Sequence, residues 1–439
     1  MIFGIRSVIQ LKILYYKVWS RENLEKCGIL QMSNYKKIAV AVVVLFILWF
    51  TIACSAFDVQ DYFINNHYAG NENENFSYAN NENHEADHTI DETNLAEDIS
   101  AYVENIMEKD ALPGAAIALV QGDEIIFAQG YGFRDVVKRL PVTTETLFHI
   151  GSTNKSFNAM MVATLVDEGI VDWDTPVIEY YPDFELSSQQ STNSVTFRHL
   201  LTMQSGIPDT AEDDFDIDRA SSEDVFDYVQ NVRLFAAPGE EFSYSNISAS
   251  LAGYLAVIAS GEDYLDLYSG YEQLLMERVL DPIGMDSALI RASEAQHNPN
   301  YGKSYWLERG KAVEADPEDF DGDALAPSGA LKVNVLDMAA YISTQLGHGV
   351  APNRTRVVSE ENLLQTWQPG LENYAMGWDV SSYKEYDFLS HEGAFDNYLC
   401  VIGFVPDLDI GFVILTNSEE AGDGLIEKAP KFLLDLMLK

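Results

Sequence analysis

An abrupt change in composition near residue 98 limits where this 439-residue chain can fold. Residues 57–98 repeat Asn, Glu and Asp and contain few apolar side chains. Such a segment cannot bury enough apolar surface to offset the entropy lost on ordering it, so the composition predicts a flexible spacer. We therefore expect a leader over 1–56, a disordered acidic linker over 57–98, and one folded domain over 99–439.

The leader contains an uncharged apolar run over 38–53, directly after Lys36 and Lys37. Its length is short for a membrane span and long for the core of a cleaved export signal, so both alternatives stay open. Cys54 follows this run as it does in bacterial lipoprotein signals, which adds lipidation of that cysteine as a third alternative. Basic residues before the run and acidic residues after it predict that the body is extracytoplasmic. We expect a protein that is attached to the membrane through its N-terminal segment or secreted.

Charge is distributed unevenly along the chain. Residues 1–56 carry seven Lys/Arg against Glu22 and Glu25, which leaves −47 for the remainder of a chain with net charge −42. A surface this negative repels phosphates, so nucleic acid is not an expected partner, and the membrane is one only at the leader. The partner that we expect is a small-molecule or peptide substrate.

A pattern typical of zinc proteases, H-E-x-x-H, occurs at 84–88. A working site of this kind needs a helix packed on a core and a third ligand, and the surrounding polar residues provide no apolar stripe. We interpret the match as chance and expect neither a metal nor another cofactor.

Within the domain, strand patterns occur near both ends. A helical stretch leads into alternating apolar segments at 115–121 and 124–130, which flank a Gly-Asp turn and predict a β-hairpin. Two further strands, 398–405 and 409–416, are followed by a helical pattern over 425–438. The sheet should therefore combine strands from the two ends of the domain.

The middle of the domain, roughly 155–330, is largely helical in pattern, with acidic loops at 212–218 and 316–323. Neither loop has the full spacing of an EF-hand, so solvated turns are the favoured interpretation. The helix near the start of this region begins close to Ser152 and ends at Gly169.

Ser152 and Lys155 stand at i and i+3 on that predicted helix, so their side chains share one face. A serine hydroxyl needs a base before it can act as a nucleophile, and a lysine can provide it when burial lowers its pKa towards neutrality. Taken alone, the pair is equally compatible with a helix cap and a surface lysine.

Tyr244 and Asn246 are separated by one residue and precede an apolar helical stretch over 247–258. A phenol and an amide in this arrangement can move a proton and hold a substrate carbonyl or amide. The alternative is a loop tyrosine followed by an asparagine that caps the next helix.

The third group of residues is His391-Glu392-Gly393-Ala394, placed on a predicted edge strand. A glycine there lets the backbone approach a substrate closely, and the Ala394 N–H could then pair with the Ser152 N–H as an oxyanion hole.

Together these residues resemble the motif set of the serine β-lactamase and DD-peptidase superfamily, and most closely its class C branch. That branch has Tyr-x-Asn as its second motif, matched by Tyr244 and Asn246, and tolerates His for Lys in the third, matched by His391 to Gly393. Further family-like phrases are F-H-I-G at 148–151, R-H-L-L-T-M-Q-S-G-I-P at 198–208 and Y-A-M-G-W at 374–378. The resemblance covers about 99–439.

The resemblance implies an α+β fold, with an antiparallel sheet flanked by helices beside a mainly helical subdomain. It also implies that Ser152 forms an acyl-enzyme, that Lys155 and Tyr244 exchange its proton, and that Asn246 orients the acyl side chain. His391 and Gly393 would contribute to substrate binding.

The third motif departs from that of the penicillin-hydrolysing members, which have Lys and Thr where this chain has His391 and Glu392. A glutamate that points into the site would repel a substrate carboxylate. We therefore expect a DD-peptidase, a D-aminopeptidase or an esterase more than a β-lactamase. A non-catalytic surface binding protein of the same fold is the alternative from another class, whereas the absence of a G-x-S-x-G sequence argues against an α/β-hydrolase.

Overall fold

Helices cover both faces of a seven-stranded antiparallel sheet in the computed structural model, which describes residues 92–217, 219–315 and 323–438. In chain order the strands of the described residues are β1 Gly114–Gln121, β2 Glu124–Asp135, β3 Leu140–Pro141, β4 Phe148–His149, β5 Tyr305–Glu308, β6 Lys311–Glu314, β7 Lys332–Val333, β8 Asp379–Tyr383, β9 Tyr386–Phe395, β10 Tyr398–Val405 and β11 Ile410–Thr416.

The helices of the same residues are α1 Glu92–Asp110, α2 Asn154–Asp167, α3 Gln189–Thr192, α4 Phe197–Leu201, α5 Asp224–Val229, α6 Asn246–Ser260, α7 Leu267–Leu275, α8 Asp281–Ile283, α9 Ala292–His297, α10 Ala326–Gly329, α11 Val335–Leu346, α12 Glu360–Trp367 and α13 Glu419–Met437. Short 3₁₀ turns, among them Gly151–Thr153 and Asp209–Asp214, join several of them.

The main sheet has the order β3-β2-β1-β11-β10-β9-β8. Strand β1 from the start of the domain and strand β11 from its end therefore lie side by side in the middle of the sheet. β1 pairs with β2 across the predicted Gly-Asp turn and with β11 on its other side, where Ala115 lies opposite Thr416. The prediction of a sheet built from both ends of the domain is confirmed, and so is the α+β fold class.

Alternate residues of the central strands enter two different cores. Ile117 and Leu119 of β1 pack on the side of α1 and α13, whereas Ala116 and Ala118 face the helical middle of the domain. The central strands β1, β10 and β11 are apolar almost throughout because both of their faces are covered.

Two expectations about local structure were wrong. The linker was predicted to extend to 98, but α1 begins at Glu92, because Leu95 and Ile99 continue the apolar stripe of this helix and are buried. The hairpin formed by β5 and β6 was missed inside the region that was predicted to be helical. Its turn residues Arg309 and Gly310 both have positive φ, which suits a tight two-residue hairpin.

No helix in the described part of the chain has both the length and the apolar character needed to cross a bilayer. The apolar run over 38–53, Cys54 and the H-E-x-x-H match over 84–88 lie outside the described residues, as do 316–322 of the second acidic loop. The predictions for those segments therefore stay predictions.

Candidate active site

Ser152 lies at the junction of the sheet and the helical middle. The 3₁₀ turn Gly151–Thr153 follows β4 and runs directly into α2. Gly151 has a φ of +48°, and a Cβ at this position would lie 2.8 Å from the Ala394 nitrogen. The backbone at the start of α2 therefore lies against β9, which leaves the Ser152 side chain partly exposed beside that strand.

Lys155 points back from the first turn of α2 towards Ser152, as the spacing predicts. Its Nζ donates to Ser152 Oγ at 2.9 Å, to Asn246 Oδ1 at 2.6 Å and to the Ser328 carbonyl at 3.1 Å. The side chain is 1% exposed. Burial lowers the pKa of Lys155 to about 7, and the negative charge of Glu212 opposes that shift. A substantial fraction of this amine is thus neutral at pH 7 and able to accept a proton.

Tyr244 completes the surroundings of the nucleophile. The Lys155 Nζ lies 4.7 Å from the centre of the Tyr244 ring, and the phenol shares a hydrogen bond with Ser152. Burial raises the pKa of Tyr244 well above its ordinary value, so the phenol keeps its proton at neutral pH. Of the two groups beside Ser152, Lys155 is therefore the better proton acceptor and Tyr244 the better donor.

The backbone next to Tyr244 is held by hydrogen bonds to the segment that contains the sequence R-H-L-L-T-M and to the residues that follow it. Ser243 N donates to the Met203 carbonyl at 2.9 Å, and Asp209 N donates to Ser243 Oγ at 2.9 Å. Ser245 caps α6 by accepting from Ser248 N, so Asn246 is the first residue of the helix and not its cap.

The loop over 212–218 was predicted to be a solvated turn, and the Glu212 carboxylate at its start departs from this because it is bonded within the site. Its Oε1 accepts from Asn246 N at 2.7 Å and its Oε2 accepts from Asn246 Nδ2 at 2.9 Å. Because Asn246 Oδ1 accepts from Lys155, the Asn246 amide connects a lysine and a carboxylate. The physical reason is that a partly buried amide is stabilised by partners at both ends, and the Glu212 carboxylate accepts from the nitrogen end.

Gly393 and Ala394 lie where strand β9 contacts the start of α2. A Cβ on Gly393 would lie 1.9 Å from the Ile150 carbonyl oxygen, so only glycine allows this approach of the two backbones. The strand was predicted to be an edge strand, but β9 is second from the edge. Strand β8 pairs with β9 only up to Ser390. The part of β9 that carries Ala394 lies beyond this pairing and borders the site.

His391 does not lie where a substrate-binding residue is expected. It is 4% exposed, its Nδ1 donates to the Glu392 carbonyl at 2.6 Å, and its Nε2 accepts from the Tyr374 hydroxyl at 3.0 Å. Burial, with the nearby Lys155 charge, lowers the pKa of His391 to about 3. The ring is therefore a neutral group behind Tyr244, with both nitrogens bonded to protein atoms.

Glu392 does not point into the site either. His391 and Gly393 pair with Ile402 and Cys400, whose side chains enter the core on the Ser152 side, whereas Glu392 pairs with Val401 of the opposite core. Alternation along β9 therefore directs the Glu392 side chain to the face covered by α1 and α13. The repulsion of a substrate carboxylate expected from Glu392 does not arise from that residue.

A cavity of about 240 Å³ opens above the nucleophile. Its lining residues are Gly151, Ser152, Glu212, Ile217, Asn246, Leu325, Ser328, Gly329, Ala394, Phe395 and Asp396. The structure thus brings together Ser152, Lys155, Tyr244, Asn246 and Ala394, and it adds three groups that sequence reasoning missed. These are the Glu212 carboxylate, the Ser328 carbonyl and the Tyr374 hydroxyl; only Tyr374 had a signal, because it begins the Y-A-M-G-W phrase.

Comparisons with known proteins identify the family of this chain. The family model Beta-lactamase matches residues 99–433. "Protein flp" of Staphylococcus aureus (strain MW2) is 26% identical over 325 residues, covering 73% of this chain and 62% of that protein. "Unguisins hydrolase ungD'" of Aspergillus campestris is 26% identical over 353 residues, covering 76% and 64%. The chain spans less than two thirds of the length of these relatives.

Two solved structures share the fold. The octameric penicillin-binding protein homologue from Pyrococcus abyssi superposes with a TM-score of 0.66 at 26% identity, covering 77% of each chain. The D-alanine carboxypeptidase AmpC from Burkholderia cenocepacia superposes with a TM-score of 0.63 at 20% identity, covering 78% of this chain and 99% of that one. The second likeness concerns the fold alone.

Proposed function

The chain belongs to the Beta-lactamase family, and we propose that it is a serine hydrolase that cleaves an amide or ester through an acyl-enzyme on Ser152. The observation that carries the proposal is the contact of Lys155 Nζ with Ser152 Oγ at 2.9 Å. A lysine whose pKa is lowered to about 7 by burial can remove the serine proton at neutral pH.

Acylation begins when neutral Lys155 takes the Ser152 hydroxyl proton and Oγ attacks the substrate carbonyl carbon. The N–H groups of Ser152 and Ala394 are the proposed donors to the resulting oxyanion. When the bond to the leaving nitrogen or oxygen breaks, Tyr244 gives that atom a proton and regains one from the Lys155 ammonium. The serine proton has then passed to the leaving group, and the acyl group is an ester of Ser152.

Deacylation repeats these steps with water as the nucleophile. The Lys155–Tyr244 pair takes a proton from water while its oxygen attacks the ester, and the pair returns the proton to Ser152 Oγ as that bond breaks. Asn246, held between Lys155 and Glu212, orients the acyl portion of the substrate in this scheme.

The substrate that we propose is a peptide of the DD-peptidase or D-aminopeptidase type, or an ester. His391 stands where β-lactam-hydrolysing relatives carry a lysine, and burial keeps its pKa near 3, so it adds no positive charge for a carboxylate. β-Lactam hydrolysis is the second candidate because the acylating groups are the same. A non-catalytic surface protein is disfavoured by the close contacts of Lys155 with Ser152 and Asn246.

We also propose that the domain acts outside the cytoplasm, attached through the segment that contains Lys36, Lys37 and the apolar run over 38–53. Attachment through lipidated Cys54 and attachment through an uncleaved anchor give different products. N-terminal sequencing and lipid-sensitive mass spectrometry of the membrane fraction would distinguish them, and a soluble cytoplasmic product would contradict both.

The catalytic proposal is tested by intact mass spectrometry after incubation with an activated ester, a fluorophosphonate and a penicillin. We expect a covalent adduct on Ser152 and a loss of turnover of at least ~10⁴-fold in Ser152→Ala. Rapid penicillin turnover would identify a β-lactamase, whereas a stable penicillin adduct would indicate a penicillin-binding peptidase. Absence of any adduct on Ser152 from all three probes would overturn the proposal.

A further inference from the structure

We propose that Glu212 makes the active-site cavity selective for substrates whose acyl group carries an ammonium, such as peptides and amino-acid derivatives with a free N-terminal amine. This inference rests on the proposed function, since it concerns the substrate of the same site. The acyl part of the substrate carries a positive charge, and Glu212 is the residue that recognises it.

The first support is the fixed position of the Glu212 carboxylate in the cavity. Asn246 N and Asn246 Nδ2 each donate to a different Glu212 oxygen, at 2.7 and 2.9 Å. A carboxylate oxygen accepts two hydrogen bonds, so each oxygen keeps capacity for a further donor. The Glu212 side chain lines the cavity and is partly exposed there, which makes this capacity available to a ligand.

The second support is the sign of the charge around the cavity. Asp396, in the turn between β9 and β10, is a second carboxylate in the lining. Among the lining residues in the described part of the chain there is no Lys, Arg or His. The nearby Lys155 is 1% exposed and directs its Nζ to three protein acceptors. No basic side chain of the described lining therefore offsets the charge that Glu212 presents to a ligand.

The third support is the place of Glu212 relative to the reacting atoms. Lys155 Nζ contacts both Ser152 Oγ and Asn246 Oδ1, so Glu212 lies one amide group away from the nucleophile and its base. In the proposed mechanism Asn246 orients the acyl portion, which places the Glu212 carboxylate beside that portion and not beside the leaving group. An ammonium on the acyl group would thus be attracted in a partly desolvated site, and a carboxylate there would be repelled.

The experiment compares three p-nitroanilides that differ only at the nitrogen of the acyl group: D-alanyl, N-acetyl-D-alanyl and N-succinyl-D-alanyl. At pH 7 the first is largely an ammonium, the second neutral and the third an anion. The corresponding p-nitrophenyl esters serve if the enzyme does not cleave anilides. We expect kcat/KM to fall in that order, with at least ~10-fold between the free amine and the acetylated compound.

The variant Glu212→Gln keeps the size of the side chain and removes its charge. We expect the ratio of kcat/KM for free-amine over acetylated substrate to fall by about 10-fold, whatever happens to the absolute rates. Asp214→Asn is the matched control, because it removes an acid from the same 3₁₀ turn at an exposed position outside the cavity lining. Its ratio should stay within about twofold of the wild-type value.

The outcomes separate this inference from the proposed function. Turnover with no preference for the free amine, or a preference that persists in Glu212→Gln, overturns the inference and leaves the acyl-enzyme proposal intact. If no substrate is cleaved and no probe labels Ser152, both are overturned. Preferential cleavage that is lost in Glu212→Gln and kept in Asp214→Asn supports both.

Discussion

Both faces of the central sheet are covered by apolar cores, but they differ at the end that carries Ser152. The face covered by α1 and α13 is packed by aliphatic side chains such as Ile99, Leu425 and Ile414, each fully buried. At the end of the opposite face, the side chains buried between β9 and the helical middle include Lys155, His391 and the polar end of Tyr374. The first face gains stability from apolar burial, and so does most of the second, but the site end of the second face uses burial to change protonation.

Burial has opposite consequences for apolar and ionisable side chains. A buried leucine contributes about 1.5–3 kcal/mol to folding by leaving water. A buried lysine is penalised in its charged form, and the lowering of the Lys155 pKa from 10.5 to about 7 expresses that penalty. Burying Lys155 therefore lowers the folding stability of the site and in return keeps a base that is partly neutral at pH 7.

The Lys155→Met substitution keeps an apolar side chain of similar length and removes the base, so it should have the largest effect on catalysis. We expect kcat/KM to fall by about 10²–10⁴-fold, because general-base catalysis contributes on that scale. Steady-state kinetics with an activated ester measures the loss. Retention of most of the activity would show that another group removes the Ser152 proton.

The same variant also tests the cost of the buried lysine. In the wild type the unfolded state keeps the Lys155 proton up to about pH 10.5, whereas the folded state loses it near pH 7. The contribution of Lys155 to the free energy of unfolding therefore rises with pH between these values and is lowest below pH 7. The free energy of unfolding of the wild type should gain about 1.4 kcal/mol per pH unit relative to Lys155→Met above pH 7.5. Parallel pH profiles in urea denaturation would contradict this.

On the other face, Leu425→Ala should affect stability alone. Leu425 is fully buried in the core between α13 and the sheet, so the truncation should cost about 2–5 kcal/mol of unfolding free energy. The kcat of the remaining folded protein should be unchanged. A large drop in kcat under folding conditions would contradict this, because it would show that packing on this face affects catalysis on the other.

The sequence predicted the apolar face better than the site, for physical reasons. Alternation in 115–121 and 398–405 is a local property, and it predicted the strands correctly. The contact of Ser152 with Lys155 was also local, because both stand on one helical turn. Glu212 could not be found in this way, since its contact with Asn246 spans 34 residues and no pattern links the two.

β9 gives a case in which the pattern was present but misinterpreted. Side chains alternate along a strand, so Glu392 cannot share a face with His391 and Gly393. The sequence alone did not reveal which face met Ser152, because this depends on the pairing of Gly393 with Cys400 and on its approach to Ile150. Once that face is known, His391 is placed behind the site and Glu392 away from it.

Gly393→Ala tests how far the site depends on the close approach of two backbone segments. The new methyl group would meet the Ile150 carbonyl oxygen at 1.9 Å, so β9 must move away from the start of α2 and separate the two proposed oxyanion donors. We expect kcat to fall by about 10²-fold, close to the loss caused by removing one such donor. The matched control is Gly169→Ala, where an added Cβ meets nothing within 4 Å. It should cost about 1 kcal/mol of stability through its positive φ and leave kcat unchanged.

Removing the Glu212 charge should cause a small shift in the pH dependence of kcat/KM. In the wild type, kcat/KM for an uncharged substrate should rise with pH through about 7 as Lys155 becomes neutral. The charge of Glu212 favours the Lys155 ammonium, so its removal in Glu212→Gln should lower the Lys155 pKa and move the acidic limb to lower pH. Asp214→Asn should leave the limb in place. A limb that stays fixed in Glu212→Gln, or moves to higher pH, would mean that Lys155 titrates independently of this carboxylate, and the connection through Asn246 would then be structural only.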